Sequence, residues 1–183
     1  MLKNHKSEII NQKLVLMSCC APCSAGAIEQ LKGQGADFCI LFYNPNIFPD
    51  TEYQKRLAEQ IKLCELLGVK YHVGDYNHDE WLNCVRSMEN EPERGLRCSE
   101  CFKMRIKWGA DWARANGYDA IATVFGVSKH KDQAQVDAAA LAAICDLEYI
   151  PINNQPPLPA TSHQKFYRQN YCGCEYSMKK NVG

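Results

Sequence analysis

The alternation of apolar and helical segments predicts an α/β protein: an open, doubly wound, mostly parallel sheet in a Rossmann-like three-layer arrangement. Three observations predict it. Short apolar runs alternate with longer stretches of helical spacing from residue 14 to residue 152. The run Phe38 to Tyr43 is apolar almost throughout, which suits a parallel strand covered on both faces. Irregular stretches rich in Cys, Asn or Pro follow the runs, where the carboxyl ends of the strands lie.

Leu14 to Met17 form the first strand, and Cys19-Cys20-Ala21-Pro22-Cys23 turns the chain into a helix over Ser24 to Leu31 that Gly33 and Gly35 end. Phe38 to Tyr43 is the second strand and Asn44 to Pro49 an irregular loop. Asp50 or Thr51 caps the next helix, where Tyr53, Leu57, Ile61 and Cys64 recur at helical spacing until Gly68. Val69 to Val73 makes a third strand, followed by Gly74-Asp75-Tyr76 and a helix over Asp79 to Ser87. A polar loop, Glu89 to Arg97, leads to a long helix from Cys98 to Asn116, with Phe102, Ile106, Ala110 and Ala113 on one face and Gly117 closing it. Ala120 to Phe125 is the fourth strand, Gln133 to Ile144 an Ala-rich helix and Glu148 to Ile152 a fifth strand. Asn153 to Ala160 is a proline-rich loop. Gln164 to Tyr171 reads as a short helix that returns Cys172-Gly173-Cys174 to the sheet, and the tail after Ser177 reads as frayed. There is no internal repeat, and residues 1–183 form one domain.

Lys and Arg number 21, as do Asp and Glu, so the chain as a whole is no electrostatic nucleic-acid binder and any RNA contact is a local patch. The polar start Met1 to Glu8 lacks the apolar core of a signal peptide, and no apolar stretch approaches the roughly 20 residues that span a bilayer. A cytoplasmic protein with no membrane contact is expected. In a reducing compartment, eleven cysteines point to metal binding or redox chemistry rather than disulfides. Cys39, Cys64, Cys84 and Cys145 stand apart and read as small buried hydrophobes. The other seven form three groups: Cys19, Cys20 and Cys23; Cys98 and Cys101; Cys172 and Cys174.

Ligands of doubly wound sheets sit outside the carboxyl ends of the strands, where these groups can converge. A tetrahedral zinc takes four thiolates and a cubane iron-sulfur cluster also takes four, so seven suggest a cluster with a second metal or with exchangeable thiols. A structural zinc site built from some of them, and a thioredoxin-like Cys20-Ala21-Pro22-Cys23 pair, are alternatives that spacing alone leaves open.

A resemblance covers nearly the whole chain. Cys19-Cys20-Ala21-Pro22-Cys23-Ser24, Phe42-Tyr43-Asn44-Pro45-Asn46-Ile47, Glu52-Tyr53, Arg56-Leu57, Gly74-Asp75-Tyr76, Glu91-Pro92-Glu93-Arg94-Gly95, Arg97-Cys98, Cys101-Phe102, Met104-Arg105, Val127-Ser128 and Tyr167-Arg168-Gln169-Asn170-Tyr171-Cys172-Gly173-Cys174 are similar to the motifs of the epoxyqueuosine reductase QueH family. That resemblance implies a fold of the adenine-nucleotide alpha-hydrolase (HUP-like) type, with the first cysteine loop in the place of a phosphate-binding loop. It implies a 4Fe-4S cluster with an adjacent mononuclear iron, no cobalamin, and reduction of epoxyqueuosine to queuosine at the tRNA wobble position. An unidentified donor supplies the electrons. The family's cysteines carry over to Cys19, Cys20, Cys23, Cys98, Cys101, Cys172 and Cys174 as metal ligands, with Cys20 central to catalysis. A non-catalytic zinc- or cluster-binding protein on the same scaffold is the runner-up. Two stretches depart from the family pattern: Ile152 to Phe166 is short and proline-rich, and Val124-Phe125-Gly126 replaces a more hydroxyl-rich stretch.

Other polar residues complete the expected site. Asp75 is a candidate oxygen ligand or proton donor, or a loop or capping aspartate. Tyr43, Asn44 and Asn46 line a modified-base pocket or serve ordinary turn chemistry. Arg97, Lys103 and Arg105, the run Lys129-His130-Lys131, and Lys165 with Arg168 meet tRNA phosphates or form a solvated face. Tyr167 and Tyr171 stack on anticodon-loop bases or pack near the cluster.

Overall fold

The computed structural model describes residues 12–152 and 165–178. Its elements run β1 (Lys13–Met17), α1 (Ala21–Gly33), β2 (Asp37–Phe42), α2 (Asp50–Leu67), β3 (Lys70–Val73), α3 (His78–Cys84), α4 (Leu96–Ala115), β4 (Ala120–Thr123), α5 (Gln133–Ala143), β5 (Glu148–Pro151) and α6 (Glu175–Met178). The five strands form one parallel sheet in the order β3-β2-β1-β4-β5. Strand order reverses between β1 and β4, so the chain leaves these two neighbours in opposite directions and opens a crevice above their carboxyl ends.

Register sorts the core into two layers. Leu14 and Leu16 lie beside Phe38 and Ile40 on one flank and Ala120 and Ala122 on the other. This face packs on Ile28 and Leu31 of α1 and on Leu63 and Leu67 of α2. Val15, Met17, Leu41 and Ile121 face the opposite way, onto Phe102, Ile106 and Ala110 of α4 and Val136 and Ala140 of α5. Gly109 brings α4 close to the sheet, since a β-carbon there would fall 2.5 Å from the Met17 sulfur.

Several boundaries differ from the expected ones. The cap of α2 is Pro49, in extended conformation, whose carbonyl accepts from the Glu52 and Tyr53 amides; Asp50 and Thr51 already lie inside the helix. Gly68 closes it at φ 61°, a left-handed conformation that glycine adopts without steric cost. β4 stops at Thr123, and Phe125–Val127 form a single 3-10 turn that folds the Phe125 ring onto the α4 and α5 layer. No helix forms over residues 165–171. Side chains of α2 hold that stretch instead: Glu59 accepts from the Tyr167 amide at 3.1 Å, Glu52 from the Tyr167 hydroxyl at 2.9 Å, and Arg56 donates to the carbonyls of Tyr171 and Cys172. Cys145, expected to be buried, is exposed at φ 53° where the chain turns after α5. The proline-rich loop, Gln164 and the tail after residue 178 lie outside the described residues. Among the described residues no helix is long and apolar enough to cross a membrane.

Candidate metal centre

The first cysteine loop begins at the carboxyl end of β1. Cys20 is the extended residue before α1 and Pro22 stands in its first turn, where a missing amide hydrogen costs nothing. A buried network fixes the loop from beneath. Gln60 of α2 accepts from the Ser18 hydroxyl at 2.6 Å and Ser24 donates to the Cys20 carbonyl at 2.8 Å, with the two hydroxyls in contact and Ser24 3.1 Å from the same Gln60 oxygen. The sulfurs of Cys19, Cys20 and Cys23 consequently lie within 4.8 Å of one another. No other group of three or more His, Cys, Asp or Glu donors is drawn so close among the described residues.

The other two groups lie outside this 4.8 Å set, and Cys172 is near enough to feel the charge of Cys19. Cys98, at the start of α4, packs against the apolar cluster that contains Cys19 and Cys20. Cys101, one turn on, shares a buried cluster with Trp81, Val85 and Cys174. Cys172 is brought in by Arg56, which bonds its carbonyl at 3.1 Å, while the Gly173 carbonyl accepts from the Phe48 amide at 2.9 Å. Gly173 has φ 123° and lies so near Arg56 that a β-carbon would meet the guanidinium at 2.9 Å, so glycine is required between the two cysteines.

Two buried cations flank the thiols. Lys131 donates to the Cys19 sulfur at 3.3 Å. Arg105 lies 3.8 Å from the Phe125 ring centroid and bonds the Tyr43 carbonyl and the Asn44 side chain. Their effect is visible in the thiols. Hydrogen bonds from Cys20 and Cys23, with Lys131 and Arg105 assisting against burial, hold Cys19 well below the ordinary thiol range. Its bond to Cys19 pushes Cys20 up to about 12, and Cys23 rises for the same reason. Cys172 is lowered to about 5 by the Cys174 hydrogen bond, with Lys131 and Arg105 again favouring the thiolate, and Cys174 rises in return. Burial raises Cys98 to about 11 and also raises Cys101. Cys19 and Cys172 are thus the sulfurs that lose their protons most readily, and each feels the other's charge.

Beside the trio opens a cleft of about 450 Å³ lined by Pro22, Cys23, Ser128, Lys129, His130, Arg168 and Gln169. Gln169 donates to the Cys20 sulfur at 3.0 Å. Its other amide atom, Oε1, and His130 Nε2 are buried without a hydrogen-bond partner among the described residues.

The remaining expected site residues take varied places. Tyr43 is buried, stacked on Trp108 at 4.1 Å, and Asn44 ties the β2 loop to the Ser18 carbonyl at 2.9 Å. Asn46 is buried and its Oδ1 has no partner among the described residues. Arg97 is buried and bonds the carbonyls of Met88, Glu89 and Glu91, which orders the loop before α4. Tyr171 is buried with its hydroxyl on the Phe48 carbonyl at 2.5 Å, and Arg168 is exposed in the cleft. Asp75 is exposed beyond the edge strand β3 and acts electrostatically on Tyr43 and Tyr53. It is not among the donors gathered around the trio. Gln60 and the sulfur contact of Gln169 went unread in the sequence. The one available signal was a run of polar residues, Glu52, Arg56 and Gln60, at helical spacing on what proves to be the buried face of α2.

Fold and site together define an α/β protein of HUP-like architecture with a thiol centre at the sheet's carboxyl rim. The U34-tRNA thiolase NcsA from Methanococcus maripaludis, solved with its 4Fe-4S cluster, shares this architecture at TM-score 0.54 and 14% identity, over 79% of this chain and 52% of that one. A predicted subunit of a tRNA methyltransferase from Methanocaldococcus jannaschii matches at TM-score 0.52 and 14% identity, over 76% of this chain and 67% of that one. The chain belongs to the epoxyqueuosine reductase QueH family, whose family model matches residues 14–180. Proteins named Epoxyqueuosine reductase QueH are similar to it: that of Acinetobacter baylyi is 39% identical, over 91% of this chain and 81% of its own length. That of Histophilus somni is 38% identical, over 92% and 73%.

Proposed function

We propose that this chain reduces epoxyqueuosine to queuosine at the wobble position of tRNA. The observation that carries this reading is the thiol trio within 4.8 Å, with Lys131 bonded to Cys19, Cys98 packed on the same cluster and Cys172 electrostatically coupled to Cys19, in a chain of the QueH family.

An all-sulfur donor set suits iron-sulfur chemistry. Seven thiols exceed one cluster's four ligands, and buried Lys131 and Arg105 offset the negative charge that thiolate-ligated metal brings. Cys19, Cys20, Cys23, Cys98, Cys101, Cys172 and Cys174 would between them hold a 4Fe-4S cluster and an adjacent iron. Bound there, these metals would supply two electrons and Lewis-acid polarisation of the epoxide oxygen. Opening the epoxide to an alkene consumes two electrons and two protons and releases water, with the electrons coming from a separate donor.

The cleft beside Cys23 is the seat for the modified base. Exposed Lys129 and Arg168 in its lining attract the tRNA backbone. Asp75 has no part in this reading, because it stands exposed on the far side of β2.

The test is anaerobic purification with iron and sulfide counting, then incubation with epoxide-bearing tRNA and a reductant. About four sulfides and more than four irons per chain, with conversion to queuosine, are expected. Metal-loaded protein that leaves the tRNA unchanged would favour a non-catalytic binder.

A further inference from the structure

We infer that Lys131 is the counter-charge of the thiol centre and sets how readily that centre accepts an electron. The inference rests on the iron-sulfur reading above.

Lys131 follows β4 and Cys19 follows β1, so adjacent parallel strands deliver ammonium and sulfur to opposite lips of the crevice. The Lys131 nitrogen sits 3.3 Å from the Cys19 sulfur and 5.5 Å from the Phe125 ring centroid, and the residue is 7% exposed. Its neighbour Lys129 is exposed, as a basic residue in a loop ordinarily is. Arg105 lies against the same Phe125 ring, but oxygens of Tyr43 and Asn44 answer its guanidinium. No oxygen answers Lys131: among the described residues it makes no ion pair with a carboxylate, and its hydrogen-bond acceptor is the Cys19 sulfur. Taking an ammonium out of water costs several kcal/mol unless opposite charge repays it. That compensating charge must reside on the sulfurs or on what they bind.

The functional consequence follows from Coulomb's law. Adding an electron makes the centre more negative by one unit, so a fixed cation at this distance stabilises the reduced state more than the oxidised one. Arg105, over the same ring, contributes in the same sense.

The test is an EPR-monitored redox titration of the anaerobic, iron-loaded protein. Lys131→Met should move the midpoint potential downward, while Lys131→Arg should stay near wild type. Lys107→Met removes equal charge from the exposed side of α4 and should leave the potential in place. A Lys131→Met potential equal to wild type overturns the inference. If that variant loads no iron, Lys131→Gln replaces it, and an unshifted potential there is equally fatal; loss of iron from both neutral variants with retention by Lys131→Arg supports the charge requirement. Wild-type protein that carries no iron would instead defeat the underlying functional reading, a result seen before any variant is made.

Discussion

The two halves of helix α4 are built to different rules. Its first half carries Cys98 and buries Arg97, Cys101 and Arg105 together with Phe102; its second half buries only Ile106, Gly109, Ala110 and Ala113, none of them charged or a thiol. Helix α2 shows a similar division, with Glu52, Tyr53, Arg56 and Gln60 buried before Leu63, Cys64 and Leu67, so that its buried charged groups all lie in the first two turns. Crossover helices run opposite to the strands they join, so both early halves stand at the sheet's carboxyl rim. Floor and rim thus divide the work: the floor supplies hydrophobic stabilisation, and the rim uses some of it to keep charged groups and thiols out of water.

Substitutions can break or sharpen this division. The largest effect should come from Cys20→Ser at the rim, which abolishes turnover while far-UV circular dichroism is retained. Cys39→Ser, a buried cysteine in β2, should keep activity. Equal damage from both would mean that rim and floor thiols are not distinct. Next, Ile106→Ala on the floor should cost about 2–5 kcal/mol in denaturant unfolding and leave iron content unchanged. Iron lost in proportion to stability would show that the halves are not separable. The smallest effect belongs to Arg168→Ala in the cleft lining, which should weaken tRNA binding and lower its salt slope by about one unit without altering iron content.

The floor was legible in the sequence because it obeys local rules. The Phe38 to Tyr43 run, the helical stripe of Phe102, Ile106, Ala110 and Ala113, and the glycines after α2 and α4 each state their structure within a few residues. The rim obeys distant rules. Gln164 to Tyr171 looks helical until the bonds of Tyr167 and Tyr171 are followed to Glu52, Arg56 and Glu59, more than a hundred positions away. Lys129, His130 and Lys131 look alike as a basic run; the crevice between β1 and β4 turns one of them inward. Arg97 and Arg105 read as phosphate contacts or a solvated face, but both lie buried, Arg97 on main-chain carbonyls and Arg105 on the Tyr43 carbonyl and the Asn44 side chain. The three cysteine groups could be read because their clustering needs no partner to be noticed, whereas Gln60 and Gln169 gain meaning only beside the sulfurs they serve.

The anchoring of Cys172 by Arg56 also fixes an order of events during synthesis. The opening trio leaves the ribosome early, yet the last cysteine pair is translated some 150 residues later. Any ion captured in between would meet only part of the donor set proposed above. A centre that draws on all seven cysteines, as proposed above, is completed only once the Cys-Gly-Cys segment has been made, and a polypeptide stalled or clipped before it would leave Lys131 and Arg105 beside an unfinished crevice.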